Sequence, residues 1–144
     1  MSAQKILFAT DYSPASRDAL NCAAALARER GVTLLIAHVS QLEEYPVGEL
    51  FDEEPRASDA ELEELSAVTV ADPRIRCEHR LLHGDPARQI VELAKRENVE
   101  TIVLGTHGRS GLGRLITGSV AEAVLRDAPC AVVACRPSVL VAAE

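Results

Sequence analysis

Residues 101–121 read TIVLGTHGRSGLGRLITGSVA, and they contain the signals of a strand, a loop and a helix start in succession. It begins with an apolar, strand-like run, continues through a glycine-rich loop, and ends at Gly118-Ser119, where helical spacing starts. Glycines between a strand and a helix let the backbone approach a ligand closely and direct its N–H groups toward it. The stretch contains no Asp or Glu, although the chain as a whole has a net charge of -7. It therefore predicts a binding site for an anion, and for a phosphate above all.

Apolar runs and turn signals divide the rest of the chain into alternating strands and helices. Five strands are predicted, at residues 6–10, 32–39, 74–82, 101–104 and 130–135. The third strand alternates charged and apolar residues, which is typical of an exposed edge strand. The alternation predicts a single α/β domain, residues 1–144, with a mostly parallel sheet and right-handed crossovers. Ligands of such sheets bind at the carboxyl ends of the strands, where Asp11, His38-Val39 and Gly105 all stand.

Capping signals mark where the helices begin and end. Ser13 and Asp85 each precede a proline, which predicts a helix start at both places. Gly31 fits the end of the first helix. Ser119, followed by Glu122, fits a capping box at the start of the last helix.

The acidity of the chain belongs to one segment. Residues 43–64 hold ten carboxylates and one arginine. A solvated loop and helix face is the favoured interpretation, and an acidic docking patch is the alternative. Within this region we expect an amphipathic helix at residues 57–68, with Leu62 and Leu65 facing inward.

Composition argues against several classes of protein. We see no secretory signal and no apolar run that approaches the ~18 residues of a membrane span, so we expect a cytoplasmic protein. No basic cluster is present and only four residues are aromatic, which argues against nucleic-acid binding. The cysteines form no CxxC pair and the histidines show no metal-ligand spacing, so we expect buried thiols and no metal site made by side chains alone.

Taken in order, the motifs of the chain resemble the universal stress protein family, and the resemblance covers nearly the whole chain apart from residues 40–72. The spacing Gly-x2-Gly-x9-Gly-Ser is that of the ATP-binding subgroup of this family, and it is complete here. Neither a P-loop nor a G-x-G-x-x-G dinucleotide motif is present. The matching motifs are Ile6-Leu7-Phe8-Ala9-Thr10-Asp11-Tyr12-Ser13, His38-Val39, Gly84-Asp85-Pro86, Gly105-Thr106-His107-Gly108-Arg109-Ser110-Gly111 and Gly118-Ser119-Val120-Ala121.

The resemblance implies a fold and a ligand. The implied fold is a three-layer α/β/α, Rossmann-like architecture of the adenine nucleotide alpha hydrolase type, with a five-stranded parallel sheet in the order 3-2-1-4-5. The implied ligand is ATP, with any Mg²⁺ held mainly by the phosphates. Adenine and ribose would contact Ala9, Thr10, Asp11 and Val39. The ribose and phosphates would contact Leu104, Gly105, His107, Gly108, Arg109, Gly118, Ser119 and Val120.

Some of these residues also have a structural interpretation. Asp11 could cap the turn before the first helix, and this role is compatible with a ligand contact. A purely structural role explains the spaced glycines less well than it explains the other site residues, so we expect the glycines to contact the ligand.

Three functions remain open from the sequence. The favoured one is an ATP-binding regulatory module in the stress response. The alternatives are a slow ATPase or phosphotransferase, and a dimeric adaptor that binds no nucleotide. Phosphoryl transfer needs a group that orients the attacking nucleophile, and no evident base is placed for that role. AMP or a cyclic nucleotide would also fit the same pocket.

The fifth strand predicts an assembly. It is apolar throughout, although the resemblance places it at a sheet edge, and an exposed apolar edge favours pairing with another chain. We therefore expect a two-fold homodimer, the commonest kind of oligomer. Its interface would consist of Ala131, Val132, Val133 and Ala134, with residues 139–141 beside them.

Overall fold

A five-stranded parallel sheet with helices on both faces forms the described part of the chain. The computed structural model describes residues 4–40, 59–106 and 118–136. The strands pair in the order β3-β2-β1-β4-β5, which confirms the fold implied above. The strands are β1 (Lys5–Ala9), β2 (Thr33–Ser40), β3 (Cys77–His83), β4 (Val99–Gly105) and β5 (Ala131–Cys135). The helices are α1 (Pro14–Arg30), α2 (Asp59–Ser66), α3 (Pro86–Arg96) and α4 (Gly118–Asp127).

The central strands are buried on both faces because their side chains point alternately into two apolar layers. Leu7 and Leu35 face the layer that α3 and α4 complete. Phe8 and Ile36 face the layer of α1 and α2. Fully burying one such side chain stabilises a fold by roughly 1.5–3 kcal/mol. The unbroken apolar runs in the sequence are thus explained by a sheet that is covered on both sides.

The predicted caps of α1 and α3 are confirmed. The Ser13 side chain accepts a hydrogen bond from the backbone N–H of Ser16 at 3.2 Å. The Asp85 carboxylate likewise accepts one from Arg88 N at 3.0 Å. Gly31 ends α1 in the left-handed conformation, with φ 64°. These local signals set the helix bounds because they satisfy backbone groups that the helix itself leaves without partners.

The expectation for α2 was only half correct. Leu65 is buried, but 47% of Leu62 is exposed, so Leu62 does not face inward. The helix has eight residues and packs near β2 and β3 at one end of the sheet. Leu65 is the one buried residue of α2, so this helix contributes a single side chain to the core.

The predicted edge strand is confirmed as an edge, although β3 begins at Cys77 rather than at residue 74. Its charged side chains do not simply face solvent. Lys5 Nζ lies 2.6 Å from Glu97 Oε1 and 3.3 Å from Glu78 Oε1. Arg80 reaches the same two carboxylates, at 3.1 Å from Glu78 Oε1 and 3.3 Å from Glu97 Oε2. These four side chains form a charge cluster that ties β1 and β3 to the C-cap of α3.

No helix within residues 4–40, 59–106 and 118–136 combines the length and the apolarity needed to cross a membrane. The four cysteines are free thiols, each partly rather than fully buried. Burial raises the pKa of Cys77 and of Cys130.

The charge cluster generates a prediction about acid stability. The hydrogen bond from Lys5 holds the pKa of Glu97 below its ordinary value of 4.5. A lowered folded-state pKa contributes stability above pH 4.5, and this contribution is lost as the pH falls through the folded-state pKa. We expect Glu97→Gln to reduce the free energy of unfolding by about 1 kcal/mol at pH 7, and to change it little in acid. Urea denaturation at both pH values measures the difference.

The matched control is Glu92→Gln, because Glu92 and its partner Arg88 form an exposed pair on α3. We expect this control to be neutral at both pH values. Equal losses of stability in the two variants would contradict a structural role for the cluster.

Candidate functional site

The carboxyl ends of the three central strands form the floor of the candidate site. Pairing aligns Ala37, Ala9 and Leu104 in one row across β2, β1 and β4. Thr10 directly follows Ala9 at the end of β1, and its backbone N–H donates a hydrogen bond to the Ala37 carbonyl of β2 at 2.8 Å. Ala9, Thr10, Val39 and Leu104 are each at most 4% exposed. The structure therefore brings these four sequence-predicted residues together, with their side chains packed into the fold.

The Asp11 side chain has a structural role in the turn that leads into α1. Its Oδ1 accepts hydrogen bonds from Ser13 N at 2.9 Å and from Ser16 Oγ at 2.7 Å. Ser16 Oγ in turn accepts a hydrogen bond from Asp11 N at 3.1 Å. The structural interpretation of Asp11 is thereby confirmed, and any contact with a ligand would be additional to it. Sequence reasoning missed Ser16, whose position three residues after the N-cap was the available signal.

His38 and Tyr12 border the floor on the β2 side. His38 Nδ1 lies 2.7 Å from the carbonyl oxygen of Thr10. Because a carbonyl oxygen can only accept, Nδ1 carries the proton in this hydrogen bond. The rings of Tyr12 and His38 are 4.4 Å apart between centroids and tilted by 41°. The backbone of Tyr12 has φ 65°, a conformation that is uncommon for a residue with a large side chain.

The surroundings of Tyr12 are negative. Burial raises its pKa to about 12, and the carboxylates of Glu64 and Glu61 on α2 add to the shift. The phenol is therefore neutral at physiological pH and can both donate and accept a hydrogen bond. These carboxylates of the acidic segment thus make the potential negative at the Tyr12 side of the site. A bound anion would be repelled there, and a group with hydrogen-bond donors would be attracted.

The N-terminus of α4 has the opposite character. The first N–H groups of a helix lack partners within it, and the helix dipole adds a partial positive charge there. Gly118 and Ser119 are exposed and Val120 is partly buried. Gly118 is the first described residue of α4, residue 117 lies outside the described residues, and the capping box at Ser119 stays a prediction. His107, Gly108 and Arg109 lie outside the described residues.

Gly105 and Gly118, two of the predicted site glycines, differ in whether packing against neighbouring residues requires a glycine. A Cβ atom at Gly105 would lie 2.6 Å from the carbonyl oxygen of Ala15 and 2.9 Å from Ser16 N. The close approach of β4 to the first turn of α1 therefore gives Gly105 a structural reason of its own, in addition to the ligand contact predicted for it. A Cβ atom at Gly118 would meet nothing within 4 Å, so packing within the described residues does not explain that glycine.

Metal-ligating side chains do not cluster in the described part of the chain. Within residues 4–40, 59–106 and 118–136, no group of three His, Cys, Asp or Glu residues could hold a metal ion. The described residues instead combine a closely packed floor, a neutral phenol beside carboxylates, and a helix N-terminus. This arrangement suits a ligand that is uncharged at one end and anionic at the other.

Comparison with known proteins identifies relatives over nearly the full length. The sequence model of the universal stress protein family matches residues 2–136. Universal stress protein A homolog 1 from Coxiella burnetii is 36% identical over 148 residues, which covers 93% of this chain and 96% of the relative.

Solved structures of universal stress proteins from Archaeoglobus fulgidus share the fold. One has a TM-score of 0.67 and 30% sequence identity, and the match covers 94% of this chain and 99% of the other. Another, in complex with dAMP, has a TM-score of 0.65 and 26% identity, and the match covers 93% and 98% of the two chains.

The two glycines provide a matched pair of variants. We expect Gly105→Ala to lower the free energy of unfolding by about 2 kcal/mol or more, because the new methyl group overlaps the α1 backbone. We expect Gly118→Ala to stay within about 0.5 kcal/mol of the wild-type protein, because its methyl group has open space. Urea denaturation of both variants measures the contrast. Similar stabilities would contradict the close packing of β4 on α1.

Proposed function

The chain belongs to the universal stress protein family, and from this premise we propose that it is an ATP-binding regulatory module of the stress response. The observation that carries the proposal is that no atom of the described residues would lie within 4 Å of a Cβ atom at Gly118, the first described residue of α4. A glycine at such a position lets a phosphate approach the backbone at the helix N-terminus closely, where the helix dipole attracts negative charge. A further support is the relative that forms a complex with dAMP, an adenine nucleotide.

The two ends of the site favour one orientation of the nucleotide. In the proposal the phosphates lie at the N-terminus of α4, because the helix dipole attracts negative charge. The base and ribose lie toward the ends of β1 and β2, because the α2 carboxylates oppose phosphates on that side. Ala9, Thr10, Asp11 and Val39 would contact the base and ribose. Leu104, Gly105, His107, Gly108, Arg109, Gly118, Ser119 and Val120 would contact the ribose and phosphates.

We propose binding without efficient turnover. Phosphoryl transfer needs a positioned metal ion and a group that orients the nucleophile. Asp11 is the carboxylate at the end of β1, and its Oδ1 is held by Ser13 and Ser16. It also stands at the base and ribose end of the proposed orientation. Mg²⁺, when present, would be held mainly by phosphate oxygens and water. The cytoplasmic location and the role in stress belong to this proposal and rest on family membership.

Calorimetric titration tests the nucleotide. We expect saturable binding of Mg-ATP, much weaker binding of Mg-GTP, and weaker binding of AMP, which lacks the distal phosphates. Gly118→Val should weaken ATP binding by roughly tenfold or more, equivalent to about 1.4 kcal/mol, because its side chain occupies the space beside the helix N-terminus. Urea denaturation of the variant verifies that it folds.

The absence of ATP binding would contradict the proposal, provided that the purified protein carries no bound nucleotide. That result would favour the nucleotide-free adaptor. Clear phosphate release that Gly118→Val abolishes would instead favour an enzyme.

We further propose a two-fold homodimer formed through β5. The strand lies at the edge of the sheet, where its outer backbone groups can pair with a second copy. Ala131 and Ala134 are exposed, while Val132 and Val133 are partly buried. Residues 139–141, expected beside this interface, lie outside the described residues.

Light scattering tests the dimer. The wild-type protein should have twice the chain mass of 15.5 kDa at micromolar concentration. Ala134→Glu should yield a monomer, because the two-fold axis brings the added charges together. Leu62→Glu is the matched control, since it adds the same charge to an exposed position on α2 near the opposite edge. A monomeric wild-type protein, or an equal effect of both variants, would contradict the interface.

A further inference from the structure

The hydroxyl group of Tyr12 is buried and has no hydrogen-bond partner in the part of the chain that the structure describes. Burying a hydroxyl without a hydrogen bond destabilises a fold, so native structures rarely leave such a group without a partner. The backbone of the same residue is in the left-handed region, with φ 65°. Strained backbone conformations of this kind concentrate at ligand-binding positions. The unsatisfied hydroxyl and the uncommon backbone conformation are two independent reasons to consider a ligand contact at Tyr12.

Neighbouring contacts fix the position of the Tyr12 ring. It stacks on His38, whose ring nitrogen is anchored to the Thr10 carbonyl at 2.7 Å. The backbone N–H of Tyr12 donates to Thr10 Oγ1 at 2.9 Å. The phenol is thus held between the ends of β1 and β2. The N-terminus of α4 follows β4, which lies on the other side of β1 in the sheet.

The charges around the phenol favour one class of partner. Glu61 and Glu64 make the surroundings negative, and burial together with these carboxylates keeps the phenol protonated, with a pKa of about 12. A phosphate is disfavoured in such a place. A group that carries hydrogen-bond donors, such as the exocyclic amine of a purine, is favoured because the phenol oxygen can accept from it.

We propose that the hydroxyl of Tyr12 is a specificity-determining contact that becomes hydrogen-bonded to the amino-bearing edge of the purine when a nucleotide binds. This inference rests on the nucleotide binding proposed above and adds a residue that reads the base. The unsatisfied hydroxyl reduces the stability of the free protein, and the ligand supplies the missing partner. The combination of lower stability with tighter binding is expected of a functional residue and not of a packing residue.

The test is Tyr12→Phe, which removes the hydroxyl and retains the ring stacked on His38. We expect the melting temperature of the free protein to rise by a few degrees, because the variant no longer buries a hydroxyl that lacks a hydrogen bond. We expect Mg-ATP to bind about three- to tenfold more weakly, since one hydrogen bond is lost. Inorganic tripolyphosphate, which has no base, should bind equally well to both proteins. The preference for ATP over inosine triphosphate, which lacks the amine, should shrink.

A second variant separates the ring from the hydroxyl. Tyr12→Leu removes both, so it should melt below Tyr12→Phe because the contact with His38 is lost. A Tyr12→Phe protein that binds ATP like the wild type would overturn the inference while nucleotide binding stands. A fall in its melting temperature, or equal weakening of tripolyphosphate binding, would overturn it as well. A wild-type protein that binds no ATP would overturn the proposed function and this inference together.

Discussion

The close approach of β4 to the first turn of α1 is the constraint on which the site depends. A side chain at Gly105 would overlap the Ala15 carbonyl, so only glycine lets the strand end lie against the helix start. With α1 in this position, Ser13 and Ser16 hold the Asp11 carboxylate and define the turn after β1. That turn places Tyr12 in its left-handed conformation against His38. The packing at Gly105 therefore sets the position of α1, and through it the turn after β1 that borders the site.

The site is electrically asymmetric, and this asymmetry follows from where the helices lie in the sheet order. Helix α2 precedes β3 and packs near β2 and β3, so its carboxylates act on the β1–β2 side of the site. Helix α4 follows β4, so its N-terminus lies on the other side of β1. An anion is opposed on the first side and attracted on the second. A ligand with an uncharged end and an anionic end therefore has one favoured orientation, which is the basis of the nucleotide proposal.

Where sequence reasoning failed, the decisive neighbours came from distant parts of the chain. Gly105 was predicted from its ligand motif alone, and its close packing against Ala15 and Ser16 in α1 was not foreseen. Leu62 matches the helical spacing of Leu65, yet α2 buries only the latter. Tyr12 was not selected as a site residue, because its contact with the His38 ring and its proximity to the α2 carboxylates arise only when these elements pack together.

The alternation of strands and helices, the helix starts at Ser13 and Asp85, and the resemblance to the family could all be predicted from the sequence. These depend on information that is local along the chain: apolar runs, capping residues and motif spacing. The packed fold was needed to show that Gly105 lies against α1, that no described residue would crowd a side chain at Gly118, and that the α2 carboxylates act on Tyr12. The physical reason is that steric overlap, burial and charge interactions depend on distances between atoms, and folding makes neighbours of residues that are far apart in sequence.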